Sequence, residues 1–252
     1  MLEPAQNTKH LPFLHISFRE HVFVLAQTDD GTSNGTALWL AGQVLAAYMA
    51  SLPPPTGGAR VIELGSGIGF TALVLASLGY HVIATDAHPA VLSLLIQNIQ
   101  RNAHNLLGSV QVRELDWCVP PEQWDWSDPN SITHPRAYSD PRVTPTPFDL
   151  IVTADTLYVP HLTPHLLRTL DYIQALTPVT STNNSTSYRR PTALIAFERR
   201  DPALIDSALA LIPGSLNRIP QKKLSKALQR LGWNWDTSDW EGVEVWKVKW
   251  AK

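Results

Sequence analysis

Val61-Ile-Glu-Leu-Gly65-Ser-Gly67-Ile-Gly69-Phe70 decides the fold of this chain. A short apolar run carrying one acid, followed by glycines at alternate positions, reads as a buried strand that turns sharply into a helix. Glycines let the backbone approach a ligand closely and bring the helix N-terminus beside it. A dinucleotide fingerprint has the spacing G-x-G-x-x-G. Here Phe70 occupies the sixth position, the loop is G-x-G-x-G, and Glu63 lies outside the dehydrogenase pattern. Such a loop is a weak signal by itself. Asp86 strengthens it, because it stands 21 residues beyond Gly65 at the end of the next strand candidate, His81–Thr85. A carboxylate there can accept both ribose hydroxyl protons. Its plainer use would be to cap the helix that begins at Pro89.

Outward from this unit the rhythm continues. Thr71–Leu78 is a small-residue helix closed by Gly79. The Pro89 helix has Leu92, Leu95, Ile96 and Ile99 on one face. Further strands are expected at Val110–Leu115, Phe148–Ala154 and Thr192–Phe197, with helices at Leu162–Leu176, Pro202–Ile212 and around Leu224, Leu228 and Leu231. Alternating strands and helices imply an α/β, doubly wound, mostly parallel sheet with right-handed crossovers. Trp233–Thr237 and Val243–Trp250 read as a last antiparallel pair at one end of it. Upstream, Phe13–Ile16 and His21–Leu25 suggest a hairpin, Thr36–Ala50 a helix, and Pro53–Gly58 a firm break. We therefore expect an N-terminal extension over residues 1–60 packed on a core domain over 61–252. Two insertions interrupt that core, at about 119–147 and 177–191. The first holds seven prolines in 29 residues, has no visible period, and is expected at the substrate mouth.

Composition narrows the function. Of 252 residues, 44% are hydrophobic and 17% charged, which excludes a charge-rich disordered chain. The formal net charge of −2 supplies no global positive field for nucleic acid or an anionic membrane. Cys118 is the single cysteine, so neither an internal disulfide nor a cysteine-cluster zinc site is available. No histidine spacing suggests a metal site, and none is expected. The polar first ten residues do not resemble a secretory leader, and no apolar run reaches the roughly 20 residues of a bilayer span. The expected compartment is the cytoplasm, with the nucleus left open, and the expected state a monomer.

Together, Glu63–Gly69, Asp86, Leu115-Asp116-Trp117 and Ala154-Asp155-Thr156-Leu157-Tyr158 resemble the seven-strand S-adenosylmethionine-dependent methyltransferases. More narrowly, they resemble methyltransferase family 16, the methyltransferase-like protein-lysine methyltransferases. The Thr36-Ala-Leu-Trp39 segment and Phe197-Glu198-Arg199-Arg200 are similar to that family's pre-core segment and its glutamate/arginine-bearing segment. The resemblance implies a Rossmann-like seven-stranded sheet with S-adenosyl-L-methionine as cofactor. It implies that Gly65, Ser66 and Gly67 line the methionine part, that Glu63 supports its amino end and that Asp86 holds the ribose. Asp116 and Trp117 would flank the adenine, Ala154 would offer backbone, and Trp39 would cover the cofactor. Asp155 and Tyr158 would be the catalytic pair.

A lysine acceptor must lose its proton before it attacks. With a pKa near 10.4, only about one in 2,500 is neutral at pH 7, equivalent to about 4–5 kcal/mol. An apolar, aromatic channel and a nearby sulfonium both lower that pKa. Asp155 alone would raise it, so its expected duty is to orient the amine or to accept its proton through water. Tyr158 would pack against the acceptor or hydrogen-bond it. Nucleobase-amine methyltransferases carry [DNS]-P-P-[YFW] at this place, which this chain lacks. The leading expectation is a protein-lysine N-methyltransferase acting on an intracellular protein. The alternatives are a small-molecule N- or O-methyltransferase and a catalytically idle cofactor-binding scaffold.

Overall fold

The computed structural model describes residues 2–28, 34–134, 143, 145–176, 181–182, 185–186 and 190–249. Its centre is a seven-stranded sheet built from β3 (Arg60–Leu64), β4 (His81–Asp86), β5 (Ser109–Glu114), β6 (Leu150–Ala154), β7 (Thr192–Glu198), β8 (Ser215–Arg218) and β9 (Val243–Lys249). The spatial order is β8-β9-β7-β6-β3-β4-β5. Pairings among β5, β4, β3, β6 and β7 are parallel, whereas β9 runs antiparallel to both β7 and β8. The expected doubly wound sheet with a reversed last strand is thus the observed one.

Both sheet faces are covered, so the central strands are apolar on both sides. Val61, Val152, Leu194 and Ala196 face a core shared with α1 (Leu40–Ala50), α2 (Phe70–Ser77), α3 (Pro89–Asn102) and α6 (Gln221–Arg230). Ile62, Ile151, Ala193 and Ile195 face a second core with α4 (Thr163–Ala175) and α5 (Pro202–Ala210). Helix α1 buries nine of its eleven residues. Among the described residues, no helix is long and apolar enough to cross a membrane.

The N-terminal hairpin, β1 (Phe13–Phe18) with β2 (His21–Ala26), turns Leu14, Ile16 and Phe18 inward. Its outer edge meets α3 through two buried asparagines. Asn98 Oδ1 accepts from the Ala26 amide at 2.8 Å and Asn102 Oδ1 from the Val24 amide at 2.8 Å, while their Nδ2 groups donate back to the same residues' carbonyls. One turn apart on α3, they imitate a partner strand and satisfy an edge that would otherwise be unpaired. This moves the buried face of α3 to Val91, Leu95, Asn98, Ile99 and Asn102, and Ile96, expected inside, is exposed.

One further expectation is corrected. Trp233–Thr237 is not a strand. Gly232, at φ 72°, closes α6, the Trp233 amide donates to Leu228 O, and Asp236 caps the turn Thr237–Asp239. Its backbone is spent on that cap and turn, so β9 pairs with Ser215–Arg218 instead. The end of the expected last strand, Trp250, lies outside the described residues. Of the first insertion, residues 119–134 fold back on β5. Arg113, 4% exposed, donates to the carbonyls of Asp125, Trp126 and Asp128. Trp124 and Trp126 pack edge-on, and Trp124 also meets Tyr172 of α4. Residues 135–142 and 144 lie outside the described residues, as does most of 177–191.

Candidate active site

A half-open cavity of about 630 Å³ lies at the carboxyl ends of β3, β4, β6 and β7. Open α/β sheets bind ligands at that end, where the strand order reverses. Of the residues singled out from the sequence, Trp39, Gly65, Gly67, Asp86, Asp116, Trp117, Ala154, Asp155 and Tyr158 all line it. Glu63 and Ser66 do not.

The glycine turn forms the floor. Gly65 (φ 72°) and Gly67 (φ 53°) adopt left-handed conformations that disfavour any side chain. A Cβ at Gly65 would stand 2.7 Å from Thr156 Cγ2 and 3.5 Å from the Trp117 ring, and one at Gly67 would stand 3.2 Å from Gly35 O. Ser66 faces the sheet: its amide donates to Thr85 O, and its Oγ accepts from the Thr85 amide at 3.0 Å. It therefore pins the turn to β4. Glu63, 2% exposed, points between β3 and α2 and meets the Ser66 and Thr71 side chains. Burial pushes its carboxyl up to about 8, so it keeps its proton at neutral pH. Its Oε2 is buried with no hydrogen-bond partner among the described residues.

Asp86 accepts from the Gly67 amide at 3.1 Å and the Ala87 amide at 2.9 Å, joining the end of β4 to the turn. It does not cap α3, whose N-cap is His88. Burial raises its pKa, and the Ala87, Gly67 and His88 amides partly oppose the shift. Asp116 Oδ1 accepts from the Cys118 amide at 2.8 Å, and Arg168 Nη2 donates to Trp117 O at 2.8 Å, which fixes the backbone around the Trp117 ring. Trp117 Nε1 is buried without a partner among the described residues. The Trp117 ring, on the cavity wall beside a turn that tolerates no Cβ, suits stacking against a flat heteroaromatic ligand.

Asp155 sits at φ 52°, one residue past β6. Its Oδ1 accepts from the Glu198 amide at 2.9 Å, and its Oδ2 from the Ala41 amide at 3.1 Å. Trp39, the N-cap of α1, has no side-chain acceptor to offer that helix. The cap arrives instead from Asp155, 114 residues away in sequence. One carboxylate thus ties α1, β6 and β7 together and holds Trp39 at the cavity. Burial raises the Asp155 pKa, whereas the two amides and the Arg200 charge pull it down. Tyr158 is half exposed and bonds the Asn34 side chain; burial raises its phenol, which stays protonated at neutral pH. Glu198, Arg200 and Asp201 also line the cavity, and their site role was not assigned from sequence.

The sheet, its reversed last strand and this cavity define an S-adenosylmethionine-dependent methyltransferase. The solved T. Thermophilus 16S rRNA N2 G1207 methyltransferase, in complex with AdoMet and guanosine, shares the fold at a TM-score of 0.50 and 12% identity, covering 97% of this chain and 46% of that one. The model of the lysine methyltransferase family matches residues 19–128. The Danio rerio protein N-lysine methyltransferase METTL21A is 30% identical over 173 residues, 68% of this chain and 70% of its own. The Mus musculus METTL21A is 28% identical over 165 residues, 65% and 66% of the two chains. The chain belongs to the lysine methyltransferase family.

Proposed function

We propose that the chain transfers a methyl group from S-adenosyl-L-methionine to a lysine side chain of a protein, acting as a monomer in the cytoplasm. The observation that supports this most is the juxtaposition, in one cavity, of the glycine turn with an acidic and aromatic wall. Five carboxyl side chains, Asp86, Asp116, Asp155, Glu198 and Asp201, line it against one guanidinium, Arg200. Such a wall favours cations, and both a sulfonium and a lysine are cationic.

In this reading Gly65 and Gly67 take the amino-acid end of the cofactor, with Ser66 and the protonated Glu63 supporting the turn from behind. Asp86 holds the ribose, Asp116 and Trp117 the adenine, with Ala154 and Trp39 closing the sides. When bound, the cofactor supplies a sulfonium-activated methyl group. The chain's residues supply position and electrostatics. Tyr158, kept as a phenol, donates or packs toward the acceptor amine. Asp155 already receives two backbone amides, so it acts mainly by positioning α1 and β7. As a residue lining the cavity, its carboxylate can also steer an ammonium electrostatically.

The test is incubation of the purified protein with methyl-labelled S-adenosylmethionine and a fractionated lysate. Label that survives acid precipitation on a discrete protein band is expected. Label confined to the small-molecule fraction would replace this reading with a small-molecule methyltransferase, and no transfer despite cofactor binding with an idle scaffold.

A further inference from the structure

At the carboxyl end of β7 the cavity holds an internal cation on an aromatic and acidic seat. The Arg200 guanidinium carbon stands 4.6 Å from the Trp39 ring centre. Its Nε, at 2.8 Å, and its Nη2 both donate to a single oxygen of Glu198, Oε2. The same indole also carries Lys9 Nζ, 3.5 Å from the ring centre. An indole face beside a carboxylate is a donor set that holds organic cations: the ring quadrupole attracts from one side and the anion from another. Trp39, Glu198 and Arg200 all line the cavity, and among the described lining residues Arg200 is the one Lys or Arg. The pair is weakly held. The Arg200 side chain is 52% exposed and that of Glu198 28%, so solvent screens their attraction. The long arginine stem can carry its charge into water.

We propose that Trp39 and Glu198 form the subsite for the acceptor lysine's ammonium, and that Arg200 fills it in the free protein and leaves when the lysine enters. This rests on the lysine reading of the cavity given above. Arg200 is then an internal competitor and a filter. A neutral acceptor offers nothing in exchange for the broken ion pair, whereas an ammonium replaces it like for like. The apparent affinity for lysine is lowered by the fraction of molecules in which Arg200 occupies the seat. Arg200 and Glu198 are positioning and specificity residues in this scheme, and binding of the ammonium precedes its deprotonation.

The experiment measures binding of Nα-acetyl-lysine N-methylamide to the full chain without cofactor, from the indole ¹H–¹⁵N shifts of its tryptophans. Arg200→Ala is expected to tighten binding about threefold to tenfold, and Glu198→Gln to weaken it. The neutral analogue Nα-acetyl-norleucine N-methylamide should respond to neither. The Arg200→Ala gain should shrink when Trp39→Phe, which keeps a ring with a weaker quadrupole, is added. Unchanged or weaker binding in Arg200→Ala would overturn the proposal, as would an equal gain in the Trp39→Phe background, which marks a general charge effect. Titration of the same samples with S-adenosylhomocysteine separates the two readings. If the nucleoside binds and the lysine probe behaves otherwise, this inference alone falls; if the nucleoside does not bind, the methyltransferase reading falls with it.

Discussion

Asp155→Asn replaces one of two carboxylate oxygens with an NH₂ group at a site where both oxygens accept backbone amides, from Glu198 at 2.9 Å and Ala41 at 3.1 Å. Asparagine has nearly the same shape and tolerates the left-handed φ of 52°, so backbone strain is not what changes. What changes is one charge-assisted hydrogen bond, about 1.5–3 kcal/mol, together with an amide hydrogen left facing another donor. Loss of the partly compensating cost of burying an anion keeps the total near about 2–3 kcal/mol. For a chain of this size that corresponds to a fall of roughly 5–10 °C in Tm. The α1 terminus and Trp39 loosen together, so affinity for S-adenosylhomocysteine should fall in parallel. Thermal melts followed by circular dichroism, with calorimetric titration of S-adenosylhomocysteine, read both. A variant that melts within about 1 °C of wild type yet loses methyl transfer would refute the capping argument and make the carboxylate a participant in chemistry.

Other perturbations test other parts of the site. Glu63 keeps its proton up to about pH 8 in the folded state and releases it near 4.5 when unfolded, so its contribution to stability is full below 4.5 and is lost as pH rises to 8. Glu63→Gln should flatten that decline, by up to about 1.4 kcal/mol per pH unit, in urea melts between pH 5 and 8. Equal slopes in the two proteins would remove Glu63 from the account. Gly65→Ala forces a Cβ to within 2.7 Å of Thr156 Cγ2 at an unfavourable φ, and should cost about 1–3 kcal/mol and at least tenfold in S-adenosylhomocysteine affinity. Unaltered affinity would mean that the turn does not cradle the ligand. Asp86→Ala should reduce that affinity by a similar factor, and wild-type calorimetry would overturn its ribose assignment. Arg113→Met strands three carbonyls and should lower stability by about 2–4 kcal/mol, leaving cofactor affinity intact. A loss of affinity instead would show that the 119–134 arm reaches the cavity.

How much of this was readable in advance follows from the kind of interaction involved. Strands β3, β4, β6 and β7 are continuous apolar runs bounded by turn chemistry, so local pattern found them. Apart from Trp39, which precedes α1, the cavity residues read from the sequence lie at or just past a strand's carboxyl end, where side chains converge. The failures lie where one element's job depends on another far away. Nothing local marks Asn98 and Asn102 as partners of Ala26 and Val24. Ile96 was assigned inward for the same reason. Strand β8, Ser215-Leu-Asn-Arg218, has no alternating apolar signal because it is a short exposed edge. The tryptophans of 233–235 imitated a strand, though their rings stack 5.6 Å apart beside Phe70. Asp155 capping α1 across 114 residues was equally invisible, as was the seating of Arg200 on Trp39, since only the fold brings the carboxyl end of β7 beside α1.

The central claim is that this cavity delivers a methyl group to a lysine nitrogen. Incubation of the purified chain and a cell lysate with trideuteromethyl-labelled S-adenosylmethionine, followed by mass spectrometry of digested protein, tests it directly. The account predicts labelled Nε-methyllysine on a small set of proteins, markedly reduced at sub-saturating cofactor when Asp86→Ala replaces the wild type. Label found on another residue type, or on free metabolites alone, would contradict it.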